Sequence, residues 1–355
     1  MQLPATDIDV EDDQTLADGM DIWRLTDEDR FPGVPGWDGL DFRGLLSHGG
    51  AVEHQLLGVR DGDGTGSGTG SGSGSGSGSV VGVALMEIPQ RENRHSVGID
   101  VRVHPAHRRR GVGTALVDEV ARRARADRRT VINCLFEVPT EQLGTHPCEP
   151  FARRLGFEPL QQGNRRHLSL PVEPTLLGHL REEVAAARGA ADYRILTFRG
   201  PWPAEFAADQ CEMERQMSTD QPQADHQAEE EEWDEARLAQ SYERAAMQGI
   251  TLLSAVAQHV ESGHLVAFTD LAVAARRPYE AWQWSTLVLR EHRGHRLGLA
   301  VKLANLDFLA SAHPGARLVI TGNAAVNAPM IAVNDLMGFE VVATGTFWQK
   351  ALTSA

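Results

Sequence analysis

The sequence predicts two tandem domains of mixed helix and strand. Its 355 residues suit about two domains. A strand, a glycine-containing basic turn and a helix occur twice, as VHPAHRRRGVGTAL from Val103 and VLREHRGHRLGLAV from Val288. A second landmark follows each copy, Leu155-Gly156-Phe157-Glu158 and Met337-Gly338-Phe339-Glu340. The offset is 298 − 113 = 185 between Gly113 and Gly298, and 338 − 156 = 182 between Gly156 and Gly338. Two landmarks in near register indicate duplication rather than chance.

The elements follow in order. Strands are expected over 52–59 and 80–87, where Val81, Val83 and Leu85 alternate. Between them residues 61–79 read DGDGTGSGTGSGSGSGSGS, with nothing apolar to bury. They are expected to form a mobile loop of an expanded hairpin, without chemistry. An engineered linker shares that composition. Ser96–Val103 reads as a strand stopped by Pro105, followed by the basic turn and a helix over 114–125, then a strand over 131–136. Residues 173–191 read as a linker helix ending near Gly189. The domains are therefore expected at 1–172 and 192–355. The second half holds a strand over 193–198, helices over 203–216 and 234–247, and strands over 251–260, 264–272 and 282–289. Its acidic run at Glu229 to Glu232 reads as a solvated face.

Composition removes several function classes. Hydrophobic residues make up 41%, enough for ordinary cores. The formal charge of −15 argues against a nucleic-acid partner, which needs basic surface to displace counterions. It is mildly compatible with a cationic, amine-bearing substrate, and simple solubility is the favoured reading. The acidic N-terminus does not read as a signal peptide, and no apolar run reaches the roughly 20 residues of a membrane helix. A cytoplasmic chain with no membrane partner is expected. Cys134, Cys148 and Cys211 form no disulfide framework and no CxxC pair. His292 and His295 lack further ligands nearby, so no metal is expected.

Strand, glycine turn and helix form an anion cradle. Glycine lets the backbone turn its N–H groups inward, and the helix N-terminus adds partial positive charge. Neighbouring arginines pair with phosphate oxygens. Neither loop has the GxxxxGK[ST] of a Walker loop or the GxGxxG of a dinucleotide site. A basic nucleic-acid patch and a bare solvent-facing turn are the alternatives.

These residues resemble the GNAT superfamily of N-acetyltransferases. The first copy carries Pro105, Arg108, Gly111 and Gly113, then Phe151 to Phe157; the second carries Arg293 and Gly298, with Arg290 at the proline place and Arg296 at the first glycine place. The tandem organisation resembles the mycothiol synthase type. The resemblance implies an α/β (α+β) fold: two tandem domains, each a mixed, mostly antiparallel sheet flanked by helices. Two central parallel strands splay, and acetyl-CoA or another short acyl-CoA lies in the gap. Val101, Val103, Leu287, Val288 and Leu289 would hold the pantetheine arm through their backbone. Arg108, Arg109, Arg110, Gly111, Val112, Gly113 and Thr114 would hold the pyrophosphate. Their second-copy counterparts are Arg293, Gly294, His295, Arg296, Leu297, Gly298 and Leu299. Asn323 and Asn327 would bond pantetheine amides, with turn capping as the competing role.

The implied activity is direct transfer of an acyl group from CoA to the primary amine of a small molecule. Such transfer needs a base for the amine and an acid for the departing thiolate. The family's usual tyrosine acid lies four residues before the helix-ending glycine; here that place holds Ala152 and Asn334. Glu137 resembles the strand-borne glutamate base, against a plain surface glutamate. Glu280 and Asp270 are expected near the acceptor side of the second copy. The candidate catalytic residues are thus Glu137, Glu280 and Asn334. A degenerate acyl-CoA sensor and a protein-lysine acetyltransferase are the alternative functions. Segments 30–50 and 217–233 are expected to set acceptor specificity. The acceptor and the oligomeric state are not legible.

Overall fold

The computed structural model describes residues 3–9, 11–31, 44–46, 50–61, 78–220 and 228–352. The expected glycine-serine loop therefore lies outside the described residues except at 61, 78 and 79, as do parts of the two specificity segments. The chain forms two compact units, residues 1–159 with 347–355, and residues 160–346. The boundary thus falls before the expected linker helix, which belongs to the second unit, and the last residues belong to the first.

In the first unit, strands β1 (Ala5–Asp7), β2 (Val52–Arg60), β3 (Val80–Pro89) and β4 (Ser96–Val103) pair antiparallel in sequence order. Strand β5 (Val131–Pro139) then pairs parallel to β4. Helix α1 (Asp13–Arg30) starts at Asp12, whose carboxylate accepts from the N–H groups of Gln14 and Thr15. It lays Leu16, Ile22 and Trp23 on Val83 and Leu85. Helix α2 (Val112–Ala126) buries Leu116, Val117 and Val120 on the other face, against Val97, Ile99 and Trp348. Arg123 and Arg125 in its last turn complement the helix dipole. A short helix α3 (Cys148–Arg154) follows β5. The chain's final residues complete this unit: Leu352 N–H donates to Thr130 O at 2.7 Å, and Trp348 stacks on Phe136.

In the second unit the strand order is β6 (Glu158–Ser169), β11 (Leu318–Ala324), β10 (Glu280–Val288), β9 (Leu265–Ala274), β8 (Ile250–His259), β7 (Tyr193–Arg199). Of these five pairings, among the described residues, only that of β10 with β11 is parallel. Helices α4 (Pro174–Ala185) and α7 (Leu297–Ala312) cover one face through Leu180, Leu299, Leu303 and Phe339. Helix α5 (Ala207–Asp220) covers the other, where Trp202, Phe206, Met213 and Phe268 surround Leu287. Helix α6 (Glu235–Met247), capped by Asp234, and helix α8 (Ala328–Leu336), capped by Asn327, complete the unit. The last strand, β12 (Glu340–Ala351), begins here and ends among the residues of the first unit. Each unit is a mixed, mostly antiparallel sheet flanked by helices. Among the described residues no helix is long and apolar enough to cross a membrane.

Candidate functional site

Each unit contains one V-shaped gap. In the first, β4 and β5 pair only from Ser96–Val131 to Ile99–Cys134. Beyond that point Asp100 to Val103 pair with β3 alone, and β5 continues to Pro139 without β4. In the second, β10 and β11 pair only from Glu280–Leu318 to Gln283–Thr321. Large apolar side chains are left exposed where the strands part, Leu135 at 56% in the first unit and Trp284 at 50% in the second. Apolar surface beside unpaired backbone is what an extended ligand with amides and methylenes would cover.

The basic loop follows the open end of each V. After β4 come a short turn at Pro105–His107, the arginines, and α2. After β10 come a turn at Arg290–His292, the same kind of loop, and α7. Both loops pass through two left-handed residues, Arg109 (φ 64°) and Gly111 (φ 87°) in one, Gly294 (φ 85°) and Arg296 (φ 57°) in the other. The offsets are 294 − 109 = 185 and 296 − 111 = 185. Glycine and arginine have therefore changed places on one backbone. Arg296, at the expected glycine place, adopts the glycine's conformation and caps α7 as Gly111 caps α2. Alternating hand along such a turn points successive N–H groups into one concavity, which suits an anion.

The arginine roles differ from expectation. Arg108 Nε donates to Val103 O at 3.4 Å and its Nη1 to Asp29 at 2.7 Å. Arg293 repeats this, from Nε to Val288 O at 3.0 Å and from Nη2 to Asp220 at 2.5 Å. The arginines common to both copies thus tie the loop to its strand and to the helix of the opposite face. In the second loop Arg290 also faces Asp220, and Arg296 pairs with Glu183. His295 Nδ1 meets Arg188 O at 2.6 Å, and His292 meets the Tyr193 hydroxyl at 3.0 Å. In the first loop Arg109 and Arg110 are exposed and have no ion pair among the described residues. The first loop offers two uncommitted cations, and the second offers none.

The glycine at the helix start also differs between copies. A Cβ at Gly113 would lie 2.9 Å from Phe151 Cζ, whereas one at Gly298 would meet only Val288 Cγ2 at 3.7 Å. Val112 and Leu297 are buried beneath the loops, as is Leu299; Thr114 is half-buried. Val101 and Val103 turn their side chains to the α2 core, Leu287 to the α5 side, and Val288 to the α7 side, with Leu289 between. A ligand in the gap would meet their backbones, of which Val103 O and Val288 O already accept from Arg108 and Arg293.

The candidate proton carriers separate. Glu137 stands on β5 past its pairing with β4, half-buried at the open end of the first V. Glu280 does not reach the second gap: it opens β10 at the paired, closed end of the V, and burial pushes its carboxyl up. Asn334 is wholly buried and holds Lys302 and Asn323, so it is a link inside the fold rather than a contact to substrate. Asn323 is half-buried past the last residue paired with β10. Asn327 caps α8, its carboxamide accepting from Met330 N–H at 3.3 Å. Among the described residues no group of three or more His, Cys, Asp or Glu is arranged for a metal.

Several features escaped the sequence reading. β10 carries one extra residue, since Gln283 to Thr286 spans three steps against two from Leu271 to Thr269. β4 has no such bulge. The bulge interrupts the β9 ladder where the strands part, and frees backbone there. Beside it Asp270 accepts from Ser254 Oγ at 2.5 Å, and burial pushes its carboxyl up to about 6. Glu214 on α5 is pushed up to about 8 by burial and then by Asp270. Tyr242 interacts electrostatically with both carboxyls and accepts from Gln210 at 2.7 Å. Tyr242, Gln210, Trp202 and Leu238 line a cavity of about 760 Å³ within the second unit. In the first unit the counterpart of Leu287 is Arg102 (287 − 102 = 185), paired with Asp100 and Asp27.

Comparison with known proteins agrees with this geometry. Residues 66–157 match the family model for the acetyltransferase (GNAT) family. No curated protein matches the chain in sequence. A solved structure of a tandem GNAT protein from the clavulanic acid biosynthesis pathway is 26% identical, with TM-score 0.75, covering 99% of both chains. The GCN5-related N-acetyltransferase from Sphaerobacter thermophilus shares the fold at 15% identity and TM-score 0.64, covering 99% of this chain and 96% of its own. The Saccharomyces cerevisiae N-myristoyltransferase, solved with myristoyl-CoA, shares it at 13% identity and TM-score 0.58, covering 98% and 80%. The family match thus falls in the first unit, at residues 66–157, and over its whole length the chain is similar in fold to a tandem GNAT protein.

Proposed function

We infer that the chain transfers a short acyl group, acetyl in the first instance, from acyl-CoA to the primary amine of a small molecule. The observation that carries this reading is the repetition of one ligand cradle in both units: an opened strand pair followed by a loop with two left-handed residues. When bound, acyl-CoA supplies the activated acyl group. The chain's own residues fit it. The edges of β4 past Ile99 and of β10 past Gln283, beyond their pairing with β5 and β11, would take pantetheine amides, and the loop N–H groups would hold the pyrophosphate, helped in the first unit by Arg109 and Arg110, which have no ion pair among the described residues.

The acceptor must arrive as a neutral amine. Glu137 stands where it would take that proton in the first unit. In the second, Asp270 and Glu214 face the helix side near a partly apolar cavity, which suits a small cationic amine with an apolar portion rather than a flat protein surface. A cytoplasmic location fits such chemistry.

Isothermal calorimetry with acetyl-CoA, followed by thiol release against an amine panel, tests the reading. Heat of binding and amine-dependent thiol release are expected. Absence of any binding at millimolar acetyl-CoA would sink it, and binding without turnover would favour an acyl-CoA sensor.

A further inference from the structure

The second unit holds a buried lysine for which the acyl-transfer reading has no role. Lys302, on the second turn of α7, is 2% exposed. Its Nζ donates to Asn334 Oδ1 at 2.8 Å. Asn334, 0% exposed, donates from Nδ2 to Asn323 Oδ1 at 3.3 Å. Asn323 ends this chain of bonds at the open end of the V.

The direction of the chain is fixed by chemistry. An ammonium only donates, so Asn334 must turn its oxygen to Lys302 and its nitrogen outward. Asn323 must then accept with its oxygen, which leaves its own amide nitrogen as the terminal donor. One of those hydrogens is directed to Ala324 O at 3.1 Å; the second has no acceptor among the described residues. A cation at the buried end polarises each bond in the same sense.

No carboxylate pairs with Lys302 among the described residues. The ring of Phe339 lies 5.5 Å from Nζ. Charged groups on the surrounding elements pair with one another, Arg166 with Asp335 and Arg181 with Asp307. Desolvation is therefore unopposed and pushes the ammonium down to about 7.

The first unit shows that the fold does not require this arrangement. Helix alignment sets Lys302 on Val117 (302 − 117 = 185) and Asn334 on Ala152 (334 − 152 = 182). Strand register sets Asn323 on Phe136 (323 − 136 = 187, as 318 − 131 = 187). All three places are apolar there: Val117 and Ala152 are buried in the core, and Phe136 stacks on Trp348. Three positions distant in sequence have become polar together in one copy. An unpaired buried cation is costly and can often be replaced by an apolar side chain without loss, so stability does not account for it.

We propose that Lys302, acting through Asn334, is a positioning residue that makes Asn323 a polarised donor to the departing thiolate of acyl-CoA in the second unit. The proposal rests on the acyl-transfer reading above. In that reaction the amine nitrogen bonds to the acyl carbon, the C–S bond breaks, and its electron pair stays on sulfur. The proton that nitrogen loses is balanced by one gained at sulfur. The relay transfers no proton; it lowers the cost of negative charge on sulfur until that proton arrives.

Free CoA is the probe. Its bound thiol is titrated by thiolate ultraviolet absorbance in the wild-type chain, in Lys302→Met, which keeps length and volume, and in Asn323→Ala, at the half-buried end of the relay. Calorimetry checks that CoA binds, and thermal melting that each variant folds. One bound thiol in the wild type should titrate about one pH unit lower than in either variant, a roughly tenfold shift, while the melting temperature of Lys302→Met does not fall. The lysine and thiol titrate as a coupled pair, so the shift is read as the difference between proteins. Identical thiol titrations in all three overturn the relay and leave the acyl-transfer reading intact. Absence of CoA binding by the wild type overturns both.

Discussion

Exchanging glycine and alanine or arginine at the left-handed loop positions tests the backbone equivalence of the two cradles. For a residue with a Cβ the left-handed conformation costs roughly 1–2 kcal/mol. A Cβ at Gly111 or at Gly294 would meet nothing within 4 Å. No clash is added, so the conformational cost is the whole effect. Gly111→Ala and Gly294→Ala should each destabilise by roughly 1–2 kcal/mol, a fall of about 2–8 °C in melting temperature for units of this size.

The reverse changes work in the other direction. Arg109→Gly releases the same strain, less the 0.4–1 kcal/mol or so that glycine adds to the unfolded chain's entropy. A gain of up to about 1 kcal/mol is expected. Arg296→Gly gives up its ion pair with Glu183, whose side chains are 50% and 32% exposed. Such a pair contributes about 0–1 kcal/mol, so this variant should be near neutral. Urea denaturation of the full-length variants reads these differences, and calorimetry with acetyl-CoA reads the cradle. Both alanine variants should bind acetyl-CoA more weakly. If the alanine variants melt like the wild type, or if Arg109→Gly costs as much as they do, the shared backbone is wrong.

Three further outcomes follow. Glu137→Gln should lower turnover by about 10²–10⁴-fold with acetyl-CoA affinity unchanged, whereas Glu280→Gln, at the closed end of its V, should leave turnover nearly intact; steady-state thiol release distinguishes them. Asp270 has a folded-state pKa raised by burial from 3.8 to about 6. Between those values the folded protein holds a proton that the unfolded chain releases, so this group's contribution to stability falls as pH rises from about 4 to about 6. Asp270→Asn should abolish that slope in denaturation midpoints and be the more stable protein at neutral pH. Arg109→Ala with Arg110→Ala should weaken acetyl-CoA binding about tenfold and flatten its salt dependence, while Arg290→Ala, already facing Asp220, should change it little.

How much of this was legible in the sequence depended on which signal each element carried. Ser96–Val103 announced itself because Val97, Ile99, Val101 and Val103 alternate and Pro105 stops the run. Helix α1 did not. Its buried stripe mixes Leu16, Ile22 and Trp23 with Thr15, Gly19 and Thr26, and small or hydroxylated residues give no hydrophobic period. β6 was hidden for a related reason: EPLQQGNRRHLS buries only Arg166 and Leu168, so it reads as a polar segment until β11 pairs with it. The carboxylate partners of Arg108 and Arg293 were not legible, because charge near a glycine turn suggests phosphate and sequence cannot show that Asp29 and Asp220 stand opposite. Lys302 looked like any helix lysine. The signal that could have found it was present, since the repeat aligns it with Val117, and a lysine replacing a core valine is informative only once that frame is trusted.

Duplication explains why the two units can keep one backbone and differ so much in charge. A single-copy cradle must hold the anion, open the strands and manage the departing charge within one set of side chains. With two copies each constraint can relax separately. The first unit retains unpaired arginines at its loop and a carboxylate at the open end of β5, but its strand is unbulged and its helix face is apolar. At the β5 position of Glu137 the second unit has Ala324 (324 − 137 = 187), and each of its loop arginines faces a carboxylate, Arg290 and Arg293 sharing Asp220. It has instead the bulge, the half-buried carboxyls of Asp270 and Glu214, and the lysine-led relay. Neither is a decayed copy of the other, because decay replaces polar groups singly and leaves partners stranded. Here Lys302 differs from its counterpart together with Asn334 and Asn323, as one bonded set, while the Arg293–Asp220 and Arg108–Asp29 pairs are kept in both units. A set of side chains that differs as one bonded group is what the titration of Lys302→Met and Asn323→Ala reads directly.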